Sequence, residues 1–232
     1  MSPRKPNAGG TEHDWPYPDP GADGGSSAEA DGVLPDGATC GRGVWVFGYG
    51  SLMWRPGFPH LESVPARLVG YHRSLCVYSW VHRGTQERPG LVLGLDRGGS
   101  CRGLAFRVEA EREAEVLAYL DAREMVTRVY ERRRLPVVLA AGARPHAWCY
   151  VVRRDHEQYA GKLPEAARLE LIRHSAGRSG RNVEYVINTV AHLETMGILD
   201  APLHRLAAWL RAEEAGVCSA AAAAAGGPLA PP

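Results

Sequence analysis

The apolar residues fall into blocks whose spacing changes along the chain. Val44 to Phe47 form an uninterrupted apolar run that passes straight into Gly48-Tyr49-Gly50-Ser51-Leu52. This pattern predicts a buried strand ending in a tight loop. Pro65 to Ser79 reads as extended, with Ala66, Leu68, Leu75 and Val77 at its apolar positions. A segment bounded by Gly and Pro follows, His82 to Pro89. Leu91-Val92-Leu93 and Gly103 to Val108 then flank Gly98-Gly99, which predicts a hairpin. From Glu111 to Arg123 the spacing becomes helical, with Ala114, Leu117 and Leu120 as the apolar stripe. Glutamates crowd its start, where the helix dipole favours them. Arg134–Leu139 and Ala147–Val152 are again strand-like, split by a turn at Gly142. The C-terminal third is helical. Pro164 suits a first turn before Ala167, Leu171 and Ile172, and two stripes follow: Val183, Val186, Val190, Leu193, then Leu203, Leu206, Leu210.

Strands first and helices afterwards define an α+β protein. Several short strands with close turns predict a small closed or nearly closed barrel. Composition trims the chain before it changes this picture. Residues 1–43 are rich in Gly, Pro, Asp and Ser and poor in aliphatic residues, and are expected to form a disordered acidic tail. Residues 216–232 form a low-complexity tail of Ala, Gly and Pro. The folded domain is expected over 44–215, long enough for one sizeable core.

The formal net charge of +1 gives no reason to expect a nucleic-acid partner, and the arginines lack interleaved aromatics. Arg132-Arg133-Arg134 reads as a solvated strand edge. No stretch is long enough to span a membrane, and the N-terminus lacks a hydrophobic signal region. The five cysteines form no Cys-x-x-Cys pair, and their odd number argues against a disulfide framework. A reducing cytoplasm fits best. The nine histidines show no metal-binding spacing, so no metal site is expected.

The glycine loop fits none of the common motifs. A dinucleotide fingerprint would need a glycine at Met53, a phosphate loop would need Gly-Lys-Ser/Thr, and a nucleophile elbow would need Gly-x-Ser-x-Gly. Its resource is backbone N–H groups that can face an anion or an oxyanion. The side chain best placed to work with it is Glu124. It extends the Leu117–Leu120 stripe by one turn, which points a carboxylate inward at a helix end. Burial raises a carboxylate pKa and suits it to accept and return a proton. The alternative is a glutamate paired with Arg123, Arg128 or another surface arginine. Asp121 falls beside the stripe. Arg73 and His82-Arg83-Gly84 could bind a carboxylate. Asn182, at the end of a Gly-rich loop, reads as a helix N-cap.

Taken in order, these pieces resemble the ChaC-like, glutathione-specific branch of the γ-glutamylcyclotransferases. The resemblance rests on Val46-Phe47-Gly48-Tyr49-Gly50-Ser51-Leu52-Met53-Trp54, Ser79 with His82-Arg83-Gly84, and Pro89-Gly90. It continues through Cys101 to Arg107, Tyr119-Leu120-Asp121-Ala122-Arg123-Glu124 and Gly177 to Tyr185, and spans 44 to about 212. It implies a small mixed β-barrel with flanking helices. It also implies cleavage of glutathione to 5-oxoproline and cysteinylglycine, without metal or organic cofactor. By the same resemblance Glu124 is the essential acid and base. Tyr49, Gly50, Ser51, Leu52, Ser79, Arg83 and Tyr130 are the substrate-binding positions. Many relatives have glycine directly before the tyrosine matched to Tyr130, where this chain has Val129. The rival readings are action on other γ-glutamyl peptides or amines, and a non-catalytic regulator on the same fold.

Overall fold

A computed structural model describes residues 43–225. Residues 1–42 and 226–232, which hold most of the two expected tails, lie outside the described residues. The barrel is built from β1 (Gly43–Gly48), β2 (Glu62–Ser79), β3 (Gly90–Glu109), β4 (Tyr130–Leu139) and β5 (His146–Val152). It closes in the order β1-β3-β2-β4-β5. Closure comes from a parallel β1–β5 contact at Trp45↔Ala147 and Val46↔Trp148, whereas the other barrel pairings are antiparallel. The helices are α1 (Glu113–Glu124), α2 (Glu165–His174), α3 (Asn182–Thr195) and α4 (Ala201–Ala225). Thus α4 carries helix past the expected boundary at 215.

The uninterrupted run in β1 has a simple cause: both of its faces are buried. Phe47 packs in the core shared by the barrel interior and α2, α3 and α4. Val46 faces the other way, into a second cluster with Phe106, Val116, Leu120 and Tyr150, where α1 lies against the barrel wall. A strand covered on both sides gains from apolar residues at every position.

The Gly98–Gly99 hairpin does not form. Leu91–Leu93 and Gly103–Val108 belong to one strand, β3, which pairs with β2 along almost its whole length. Gly98 and Gly99, at φ +102° and +67°, sit between Arg97 and Ser100, opposite the single residue Gly70 at φ +88°. Two residues facing one make a bulge, which lets the long ribbon bend and close. The turn glycines are real, but β2 converts a reversal into a kink.

On α1 the buried residues are Val116, Leu117 and Leu120, while Ala114 is exposed. A 3₁₀ turn at Ala110–Arg112 precedes the helix and shifts its phase. On α2 the buried pair is Leu169 and Ile172, with Ala167 and Leu171 half-buried. The α3 and α4 stripes are buried as expected.

Asn182 is not the α3 N-cap. That position is Arg181, and no side chain caps the helix there. Asn182 is fully buried and clasps the backbone of Leu91, accepting from its N–H at 2.7 Å and donating to its carbonyl at 2.8 Å. It thereby ties α3 to the start of β3. We expect Asn182→Ala to cost about 1–3 kcal/mol for each of the two backbone groups left buried without a partner. Urea unfolding measures this.

Candidate active site

Phe47 and Gly48 end β1 in full burial, and the chain then turns through a 3₁₀ helix at Ser51–Met53. The Met53 N–H donates to Gly50 O at 2.9 Å and the Arg55 N–H to Ser51 O at 2.8 Å. Leu52 and Met53 point into the packed clusters and anchor the turn. From below, Arg73 donates to Tyr49 O at 2.6 Å and to Arg102 O at 2.7 Å, and pairs with Asp200 at 3.3 Å. Its side chain is only 3% exposed. The expectation that Arg73 could bind a substrate carboxylate is therefore corrected: its donors are spent inside the fold.

Glu124 is the last residue of α1 and lies beside this loop. Arg123 joins the two. Its guanidinium pairs with Glu124 at 3.1 Å and donates to Ser51 Oγ at 2.9 Å and Arg55 O at 2.7 Å. Both sequence readings of Glu124 thus hold together, the arginine pair and the inward carboxylate. Ser51 Oγ is an acceptor for Arg123, so the hydroxyl acts as an anchor.

Tyr49, Gly50, Ser51, Leu52, Glu124 and Tyr130 line one small cavity of about 50 Å³. Three further residues complete its wall: Leu93, Tyr150 and Tyr185. Leu93 lies between two tyrosines. Its carbonyl accepts from Tyr130 Oη at 2.7 Å, and its N–H donates to Tyr185 Oη at 3.2 Å. Tyr150 donates to Asp121 at 2.7 Å, and Asp121 pairs with Arg132 at 2.6 Å. Arg132 in turn lies over the Trp148 ring, so the expected solvated arginine edge is partly engaged with α1. Tyr185 was within reach of sequence reasoning, since it closes the Gly177–Tyr185 element one turn after Asn182. Leu93 and Tyr150 are ordinary strand residues with no local signal.

Ser79 and Arg83 do not line the cavity. Ser79 Oγ accepts the Arg83 N–H at 3.0 Å. The Arg83 guanidinium donates to Ser179 O, and to Arg181 O at 3.4 Å, and stands 5.3 Å from the Tyr185 ring centre. Ser79 thus steadies the backbone of Arg83, whose guanidinium holds the Gly-rich turn of the short strands β6 (Ala176–Gly177) and β7 (Gly180–Arg181) beside Tyr185.

Burial governs the electrostatics. It raises the Glu124 pKa above the ordinary carboxylate value, and Arg123 opposes that rise without cancelling it. Burial also pushes Tyr49 and Tyr130 well above the usual phenol value, and Tyr185 to about 12. Near neutral pH the tyrosines keep their protons, and the upward shift makes the Glu124 carboxylate a stronger proton acceptor than an ordinary glutamate. Cys76, Cys101 and Cys149 are buried free thiols raised to about 12, 11 and 12, so none is a poised nucleophile. Among the described residues no cluster of His, Cys, Asp and Glu could hold a metal ion.

Comparison with known proteins places the chain in a family. The family described as ChaC-like protein matches residues 44–213. The glutathione-specific γ-glutamylcyclotransferase of Escherichia coli K12 is 34% identical over 163 residues, covering 70% of this chain and 71% of its own. A human relative, glutathione-specific γ-glutamylcyclotransferase 1, is 33% identical over 160 residues, covering 67% and 72%. The fold is similar to a crystal structure of the selenomethionine-labelled yeast γ-glutamylcyclotransferase specific to glutathione. The TM-score there is 0.66 at 24% identity, over 73% of this chain and 96% of that one. The barrel with its flanking helices has the γ-glutamylcyclotransferase fold. This chain belongs to the ChaC-like family.

Proposed function

We propose that the protein cleaves glutathione into 5-oxoproline and cysteinylglycine, with Glu124 as proton acceptor and donor. One observation carries the reading: a desolvated carboxylate lines the same cavity as a backbone loop ending a buried strand. The names of the E. coli and human relatives support the choice of substrate.

The chemistry uses the parts in turn. The α-amine of the γ-glutamyl unit is largely protonated near neutral pH and must lose a proton to attack. Glu124, its proton affinity raised by burial, accepts it. The amine then attacks the γ-carbonyl carbon of the same unit, forming a five-membered ring through a tetrahedral oxyanion. Nucleophile and electrophile share one molecule, so the pocket has only to hold the unit folded. Backbone N–H groups of the Gly48–Leu52 loop serve either the oxyanion or the α-carboxylate. Collapse breaks the γ-carbonyl C–N bond as Glu124 returns its proton to the departing cysteinylglycine amine; the ring nitrogen, left with one proton more than an amide holds, passes it through the same carboxylate to that amine, which leaves as an ammonium. The proton balance closes on substrate and Glu124 alone. No side-chain nucleophile is needed, in keeping with Ser51 serving as an anchor and the cysteines as inert thiols. A glutathione-consuming protein with three buried free thiols fits a reducing cytoplasm. Among the described residues no helix is long and apolar enough to cross a membrane.

The test is direct. The protein is incubated with glutathione and, separately, with γ-glutamyl-alanine, and 5-oxoproline is assayed. Release from glutathione supports the reading. Release only from the dipeptide moves the substrate class, and release from neither leaves a non-catalytic protein on this fold.

Arg123 gives a pH signature. Glu124 must be ionised to act as base, so kcat/KM falls as pH drops through its raised pKa. Arg123 lowers that pKa. Arg123→Ala is therefore expected to move the acidic limb of the kcat/KM profile to higher pH. A variant that only loosened the Ser51 anchor would lower the whole profile without moving the limb.

A further inference from the structure

A second, larger cleft of about 820 Å³ adjoins the active-site cavity through Tyr130, which lines both. Its acidic residues are spoken for. Asp121 pairs with Arg132, Asp155 with Arg153, and Glu131 lies 3.9 Å from Arg133. Arg154 is spent on Asp96 at 2.6 Å. Among the described residues two guanidiniums of the cleft, Arg97 and Arg128, form no ion pair with an acidic side chain, so its lining carries net positive charge.

Arg128 is distinguished by its backbone. At φ +59° it is the one non-glycine residue in the left-handed region among the described residues. A bulky side chain is disfavoured there, and glycine would sit without strain. The conformation is fixed by a turn in which the Arg128 N–H donates to Met125 O at 3.1 Å. That turn joins Glu124, where the proton is moved, to Tyr130, which the two cavities share. Strain kept at such a position points to a use for the side chain.

The proposed substrate supplies the use. Beyond the γ-carbonyl, glutathione carries a cysteinyl and a glycyl residue ending in a carboxylate. Two extended residues reach at most ~7 Å. Tyr130 lines both cavities, so with the γ-glutamyl unit in the small one a tail directed past Tyr130 enters the cationic cleft. We propose that Arg128 binds the glycine carboxylate of glutathione and so selects the tripeptide over γ-glutamyl compounds lacking a terminal carboxylate there. This rests on the reading of the active site given above. A guanidinium fork meets a carboxylate with two parallel hydrogen bonds, which makes it a selective partner.

The test compares glutathione with its glycine monoethyl ester, which removes that charge and adds an ethyl group whose bulk meets the wild type and the variant alike. Arg128→Gly is the informative variant, since it deletes the guanidinium and relieves the backbone. In the wild type the ester is expected to show a KM about 10- to 100-fold above that of glutathione. In Arg128→Gly the glutathione KM rises to near the ester's, the ester's KM barely moves, and kcat for both is retained. Arg128→Lys restores part of the preference. An unchanged preference in Arg128→Gly, or an equal rise in both KM values, overturns the assignment. Wild-type protein releasing no 5-oxoproline from either compound overturns the functional reading and this one with it. Wild-type cleavage with an unaltered preference in the variant overturns this one only.

Discussion

Glu124→Gln is expected to lower kcat for 5-oxoproline release by about 10²- to 10⁴-fold, the usual worth of positioned acid–base catalysis. The amide keeps the size of the carboxylate and can still fill its place in the cavity wall, but it neither takes up nor returns a proton. Arg123 keeps its bonds to Ser51 Oγ and Arg55 O, so the loop retains its anchor. KM is expected to change much less than kcat. Stability should move in the opposite direction from activity. The folded-state pKa of Glu124 is raised, so ionising it in the folded protein is harder than in the unfolded chain. The wild type therefore loses stability as pH rises through that pKa, and the glutamine variant does not. Urea unfolding of the two proteins across that range should show the variant gaining on the wild type as pH increases. A general loss of structure would lower both activity and stability.

Arg73→Met is expected to give a large loss of stability, about 3–5 kcal/mol, as when one partner of a buried ion pair is removed. The methionine fills similar space but leaves Asp200 without its cation and the Tyr49 and Arg102 carbonyls without their donor. The consequence reaches the active site. Tyr49 O is the point where the interior grips the Gly48–Leu52 loop, so the variant that still folds should also lose turnover. Thermal or urea unfolding together with kcat/KM checks both parts. An intact protein with normal activity would show that the loop is held by Leu52 and Met53 alone.

The elements most visible in the sequence were those whose cause is local. The run Val44–Phe47 betrays a strand buried on both faces, and the glycines after it mark where the strand must stop. Glu124 was visible as the continuation of Leu117 and Leu120, even though the helix is rotated enough to bury Val116 and expose Ala114. The features that escaped depend on partners far along the chain. Gly98 and Gly99 look like a turn until β2 is laid beside them with its own kink at Gly70. Asn182 has the look of a cap, and only the fold brings Leu91 to it. Arg73 advertises a carboxylate site, yet its partners are two backbone carbonyls and Asp200, which no local pattern shows. Leu93 and Tyr150 enter the pocket because the barrel curls, so nothing in their neighbours marks them. For Ser79 and Arg83 the order of motifs led to the right neighbourhood, and the geometry puts Arg83 beside Tyr185 and neither residue on the cavity wall.

The central claim is that the substrate's own amine closes the ring, with Glu124 moving the protons. The most direct measurement is product analysis by mass spectrometry after reaction with glutathione in heavy-oxygen water. Cyclisation predicts 5-oxoproline and cysteinylglycine in equal amounts, neither carrying solvent oxygen from the cleavage step, with both products nearly lost in Glu124→Gln. Glutamate carrying a heavy oxygen would show that water had attacked the γ-carbonyl, and would contradict the account.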